Sequence, residues 1–192
     1  MNFYLDASVI VPLFVKQATS AAIEAWALAA DGRLLCSDLT ASEFASALSR
    51  MVRKRELAQE AMPVLHLAFE DWRRDMADPV ENLPADIRLA ARLVRTPFPR
   101  LLTPDAIHLA TCKRLDLMLV THDDALRDIA AREGVRVTCV METGTLGSDG
   151  WGATSPIKPA HPELVLSSSC PTPGLKAKES PSTSSGKSDL PF

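Results

Sequence analysis

Short apolar runs alternate with helix-period segments over the first 140 residues. Asn2–Asp6 reads as an apolar strand ending in an acid, and Val9–Val15 as a short apolar helix. Thr19–Ala30 is an alanine-rich amphipathic helix closed by Asp31-Gly32, and Arg33–Cys36 is a second strand. Thr40–Arg55 and Leu57–Ala77 carry helical spacing, Val80–Leu83 reads as a weak strand, and Pro84–Arg95 as a helix with proline in its first turn. Thr103–Leu115 is a further helix and Leu117–Thr121 a continuous apolar strand. Asp124–Glu133 is a helix stopped by Gly134, and Val135–Val140 is the last strand. Strands this short and apolar, separated by helices, predict a parallel sheet buried on both faces. The expected fold class is α/β, a three-layer α/β/α sandwich spanning residues 1–142.

The pattern stops near Met141. Residues 143–192 hold half of the fourteen prolines and six of the eight glycines, with serine-rich stretches such as Pro181–Gly186. Such a segment has too little apolar surface to order itself, so a disordered tail is expected there.

The net charge of −3 excludes a global basic field, so a nucleic-acid partner would need a local basic patch or metal ions. No apolar stretch is long enough to span a bilayer, and Asp6 interrupts the first apolar run. Cys36, Cys112, Cys139 and Cys170 are far apart and form no metal-binding pair. Free thiols, the cytoplasm and no membrane partner are the matching expectations.

Four acids stand where α/β folds build sites, at strand ends and the helix starts that follow them. They are Asp6, Glu43, Asp105 and Asp123. Three have a purely structural alternative. Thr40-x-x-Glu43 fits a capping box, Thr103-Pro104-Asp105 an N-cap with an acid in the first turn, and Thr121/Asp123 a further cap. Asp6 is harder to explain that way, because an acid at an apolar strand–helix junction needs a partner or a metal. Carboxylates converging on one sheet edge repel each other, and a divalent cation removes the conflict. An oxygen-only donor set selects a hard ion, Mg²⁺ or Mn²⁺.

The motifs Leu5-Asp6-Ala7-Ser8, Thr40-x-x-Glu43-x-x-x-Ala47-Leu48, Asp105-Ala106-x-His108-Leu109-Ala110 and Thr121-x-Asp123 resemble the PIN domain. More narrowly, they look like the VapC-type toxins of bacterial toxin–antitoxin pairs. The resemblance covers residues 2–140. It implies an α/β/α sandwich and Mg²⁺-dependent endoribonuclease activity leaving 5′-phosphate and 3′-hydroxyl ends. It also implies a cognate antitoxin and a homodimer. By the same resemblance Asp6, Glu43, Asp105 and Asp123 form the acidic quartet, with Asp6 and Asp105 as direct metal ligands. Ser8 and Thr121 match supporting hydroxyl positions. One departure is Ala125, where many relatives carry an acid; Asp124 next door either substitutes or only caps a helix.

Other residues carry two readings each. Arg50-Met51-Val52-Arg53-Lys54-Arg55 is either a phosphate grip or a solvated helix end. His122 is a proton donor or a plain loop residue, and His108 packs a helix or supports the site. Trp26, Trp72 and Phe69 fall on apolar helix faces and read as core or interface. A P-loop is absent, and Ser8 stands where a haloacid-dehalogenase-type phosphatase needs its second Asp. The alternative function is a non-catalytic PIN-like module that acts through protein or RNA partners.

Overall fold

The computed structural model describes residues 1–140. The expectation for residues 143–192 lies outside them. The chain runs β1 (Asn2–Leu5), α1 (Ala7–Phe14), α2 (Ser20–Ala29), β2 (Arg33–Ser37), α3 (Asp38–Arg53), a short 3₁₀ turn (Gln59–Ala61) and α4 (Met62–Met76). It continues with β3 (Ala77–Val80), α5 (Pro84–Leu93), α6 (Thr103–Leu115), β4 (Met118–Val120), α7 (Asp124–Arg132) and β5 (Val137–Thr138).

All strand pairs are parallel, and the sheet order is β3-β2-β1-β4-β5. The chain builds outward from β1 to β2 and β3, then returns to the other side for β4 and β5. The strand order therefore reverses between β1 and β4, which is where open α/β sheets form their ligand crevice.

Period-two alternation divides the core. In β1, Leu5 packs with Val9, Ile10, Phe44, Leu48, Phe69 and Trp72 on one face. Its neighbour Tyr4 packs with Leu109, Leu119, Leu126 and Ile129 on the other. Helices thus cover both faces, and the α/β/α expectation holds. Phe69 and Trp72 are core, as expected, and Phe69 stacks on Phe44 with ring centroids 4.4 Å apart. Trp26 meets Phe3 edge to face at 5.4 Å. Gly32 is required by close approach, since a Cβ there would lie 2.0 Å from the Met1 carbonyl oxygen.

Several boundaries move. The expected Leu57–Ala77 helix is a 3₁₀ turn followed by α4, because Pro63 fits only a first helical turn. The weak strand lies at Ala77–Val80 rather than Val80–Leu83; pairing with Leu34–Ser37 fixes its register. α1 begins directly after Asp6, and α3 begins at Asp38 instead of Thr40. The last strand is confined to Val137–Thr138, where it pairs with β4.

Asp86, 2% exposed, clamps α5 to α6. Its two oxygens accept from Arg114 Nε and Nη2, both at 2.8 Å, and Oδ2 also accepts from Leu83 N at 2.8 Å. Thr111 Oγ1 donates to the same carboxylate at 3.3 Å. Burial opposes ionisation of Asp86, but Arg114 and these donors prevail and hold its carboxyl below the usual range. The opposite half of α5 packs Ala90 against Ala106 and Ile107, which sets the start of α6 beside the sheet edge.

Candidate active site

Asp6 follows the last residue of β1 and is 8% exposed. Its backbone N–H donates to the Val120 carbonyl at 3.1 Å, which stitches the ends of β1 and β4 together. One carboxylate oxygen, Oδ2, accepts from Ser8 Oγ at 2.6 Å and from Thr121 Oγ1 at 2.7 Å. Ser8 Oγ in turn accepts from His122 N at 3.0 Å, and Thr121 Oγ1 from Asp123 N at 3.1 Å. Both hydroxyls thus stand where the sequence placed them, beside Asp6. They hold the carboxylate in one orientation and leave Oδ1 facing His108 Nε2 at 3.8 Å.

Glu43 sits one turn deeper in α3 than a capping residue would. The cap is Ser37, whose Oγ accepts from Thr40 N at 3.2 Å. The capping-box reading of Thr40 and Glu43 is therefore corrected. Thr40 instead donates its hydroxyl to the Leu5 carbonyl at 3.0 Å. Glu43 Oε2 is 2.6 Å from His108 Nε2. A carboxylate only accepts, so this nitrogen carries a proton. The other ring nitrogen, Nδ1, lies 2.8 Å from the Tyr4 hydroxyl, and Ser37 Oγ lies 2.6 Å beyond it. A buried chain of polar groups thus runs from Glu43 through His108 and Tyr4 to the cap of α3. Burial pushes the Tyr4 phenol far above its ordinary range, so it stays neutral.

Asp105 lies in the first turn of α6. Thr103 is inside the helix and the N-cap position is Leu102, which has no capping side chain. Asp105 itself reaches back to the Leu102 backbone. Its carboxyl is pushed up to about 6, first by burial and then by the neighbouring Asp123 and Asp6 carboxylates. Asp123 does cap α7, with its side chain accepting from Leu126 N at 2.9 Å.

The structure therefore brings Asp6, Asp105 and Asp123 into one electrostatic neighbourhood. Glu43 joins through His108, and ligand atoms of Asp6, Glu43 and His108 lie within 4.8 Å of one another. The buried His108 imidazole joins the acids here as the hydrogen-bond donor to Glu43. The signal was the three-residue spacing of Asp105 and His108, which puts both on adjoining parts of one helix face. Tyr4 and Ser37 had no such signal. Asp124 stands apart: it is exposed and accepts from Arg127 Nη2 at 2.6 Å in an i,i+3 pair. His122 is depressed by burial, against the pull of Asp6, and its Nε2 is buried without a hydrogen-bond partner among the described residues. Arg50 and Arg53 lie at the far end of α3, about 10–15 Å along the axis from Glu43, with Lys54 and Arg55 just beyond it.

The donor chemistry fits a divalent cation. Asp6 keeps one oxygen unclaimed by Ser8 and Thr121, and Asp105 is held in a state that excess negative charge disfavours. A cation at this point would remove the repulsion among the carboxylates.

The PIN domain family matches residues 3–132. VapC20 from Mycobacterium tuberculosis, a toxin that cleaves the sarcin–ricin loop, has a similar structure: TM-score 0.56, 14% identity, 66% of this chain and 94% of that one covered. VapBC-1 from nontypeable Haemophilus influenzae gives a TM-score of 0.53 at 14% identity, over 73% of this chain and 99% of that one. FitAcB from Neisseria gonorrhoeae gives 0.53 at 21% identity, over 72% and 98%. No curated protein matches the chain in sequence.

Proposed function

Because the chain belongs to the PIN-domain family, we propose that it is a Mg²⁺-dependent endoribonuclease, with Mn²⁺ an acceptable substitute, and the toxin of a toxin–antitoxin pair. The observation that carries this reading is the gathering of acids at the crevice between β1 and β4, where Asp6 and Glu43 offer ligand atoms within 4.8 Å of one another and Asp105 is crowded by Asp6 and Asp123. Helix capping does not need acids gathered in one place, whereas acids gathered around a divalent cation suit metal-assisted phosphodiester hydrolysis.

Asp6 and Asp105 would hold the cation, with Glu43 and Asp123 completing its surroundings. A bound divalent cation supplies charge neutralisation of the phosphate and a more acidic water. The remaining work falls to the chain. Ser8 and Thr121 fix the rotamer of Asp6, so its free oxygen needs no reordering when substrate arrives. His108 holds Glu43 toward the pocket through a charge-assisted hydrogen bond. Asp123 has one oxygen tied to Leu126 N, which leaves the other for a water or the cation. Hydrolysis in this arrangement leaves 5′-phosphate and 3′-hydroxyl ends.

The partners in this reading are RNA, a cognate antitoxin and a second copy of the chain. The reading places the protein in the cytoplasm, and among the described residues no helix is long and apolar enough to cross a membrane. Incubation of purified protein with total RNA in Mg²⁺ tests the activity. Discrete fragments that disappear with EDTA and in Asp105→Asn are expected. Intact RNA with folded protein and either metal would instead favour the non-catalytic module.

A further inference from the structure

Arg33, Arg73, Arg74, Arg114, Arg127 and Arg136 pair with acids. The side chains of Arg50, Arg53, Arg55 and Arg132 make no ion pair or hydrogen bond among the described residues, and neither do those of four exposed arginines close together in the chain, Arg88, Arg92, Arg95 and Arg100. Their arrangement is regular. Arg88, Arg92 and Arg95 follow i, i+4, i+7 spacing, so they form one stripe along α5 and its end. The buried side of that helix is set by Asp86 and Ala90, Arg88 and Arg92 are each two residues beyond one of these, and Arg95 follows the helix end. The stripe therefore faces solvent. Successive arginines are offset along the axis by about 4.5–6 Å, so the stripe presents its positive charges in a row.

The stripe also ends in the right place. Asp86 meets Arg114 and Thr111 at one end of the α5–α6 pair, so the other end of α5 lies beside the first turn of α6. That turn carries Asp105. The connecting loop holds Arg100 and Phe98, and Phe98 is 83% exposed. An aromatic ring that the core does not use, set between unpaired arginines, suits a base face, which is free only in an unpaired strand. Arg50, Arg53 and Arg55 lack this continuity, since they lie at the far end of α3.

We propose that the solvent face of α5 and the loop before α6 form a track for single-stranded RNA, with Arg88, Arg92, Arg95 and Arg100 on phosphates and Phe98 stacked on a base. The track leads the strand to Asp105. It rests on the ribonuclease reading and specifies the substrate as unpaired RNA. A polyanion whose charges recur along a strand complements a row of four arginines without acidic partners.

The test is binding of a short fluorescein-labelled single-stranded RNA to the full chain carrying Asp105→Asn, followed by anisotropy across a range of KCl concentrations. Arg92→Gln/Arg95→Gln should weaken binding and reduce the slope of log K against log salt by about 1.4, two contacts at about 0.7 each. Phe98→Ser should weaken binding about tenfold, and Phe98→Trp should restore it. Arg50→Gln/Arg53→Gln should behave as the parent. Unchanged affinity and slope in the α5 variants, with the parent binding RNA and the unmodified chain cleaving it, overturn the track and leave the nuclease reading standing. An equal loss in the Arg50/Arg53 variant overturns it too, because the field would then be diffuse. A fall in particle mass by light scattering in the α5 variants, with RNA affinity kept, assigns the stripe to contact between copies. A parent that neither binds nor cleaves RNA removes the nuclease reading and the track together.

Discussion

Glu43 and His108, 65 residues apart in sequence, share a hydrogen bond of 2.6 Å between Oε2 and Nε2. The imidazole is fully buried and the carboxylate is a quarter exposed, so the pair joins the core to the acidic edge. Its orientation is set on the far side by Tyr4, which connects to Ser37 at the start of α3. Glu43 is therefore held from both ends: by its helix, and by a histidine whose own ring is fixed from behind.

Removing that histidine should separate two effects. His108→Ala leaves Glu43 without its donor and the Tyr4 hydroxyl without its His108 partner, and opens a cavity. Loss of about 2–4 kcal/mol of stability is expected from a change of this kind. His108→Gln fills more of the space and retains a donor. It should recover most of the melting temperature, while cleavage stays about 10–100-fold down, the usual scale for disturbing a ligand's support. Cleavage rates against Mg²⁺ concentration, compared with thermal melts, read the two separately.

Asp105 makes the metal-free protein less stable as pH rises. Its folded carboxyl sits at about 6, above the unfolded value near 4. Between those limits the folded state binds more protons than the unfolded one, so stability falls with rising pH through that window. Asp105→Asn should remove this dependence and raise the melting temperature at pH 7 without metal, by an effect of about 1–3 kcal/mol. The same substitution should abolish cleavage. A variant no more stable than the parent in EDTA would contradict the assigned crowding of carboxylates.

Cation binding should follow the same titration. A proton on Asp105 competes with the metal, so the apparent affinity for Mg²⁺ should rise from pH 5 to pH 7 and level above the carboxyl's range. Calorimetric titration with Mg²⁺ at several pH values measures this. Asp6→Asn should bind the ion weakly at every pH, because the oxygen that Ser8 and Thr121 leave free no longer belongs to a carboxylate.

The Asp86–Arg114 clamp is a structural prediction independent of catalysis. Arg114→Met leaves a buried carboxylate with only Leu83 N and Thr111 as partners. Destabilisation of about 2–4 kcal/mol at pH 7 is expected for breaking such a pair. Asp86 titrates below its ordinary range in the fold, so the stabilisation is present above the unfolded value and is lost as pH falls through the lowered one. The difference between parent and variant should therefore shrink on acidification, as urea unfolding at pH 7 and pH 3 would show.

The sequence by itself determined the architecture and the acids. Apolar strands such as Leu117–Thr121, with helices between them, admit only a parallel sheet buried on both faces, and the motifs placed Asp6, Glu43, Asp105 and Asp123 at its edge. Local periodicity carries that information because it reflects which face each residue buries. Tertiary structure decided how the acids are used. Ser37 rather than Thr40 caps α3, which frees Glu43 for His108; no local pattern separates those two hydroxyls three residues apart. The Asp86–Arg114 clamp fixes where α6 begins, and with it the proximity of Asp105 to Asp6 and Asp123. Each of these is a contact between residues distant in the chain, and their pairing exists only once the sheet has closed and the helices have packed.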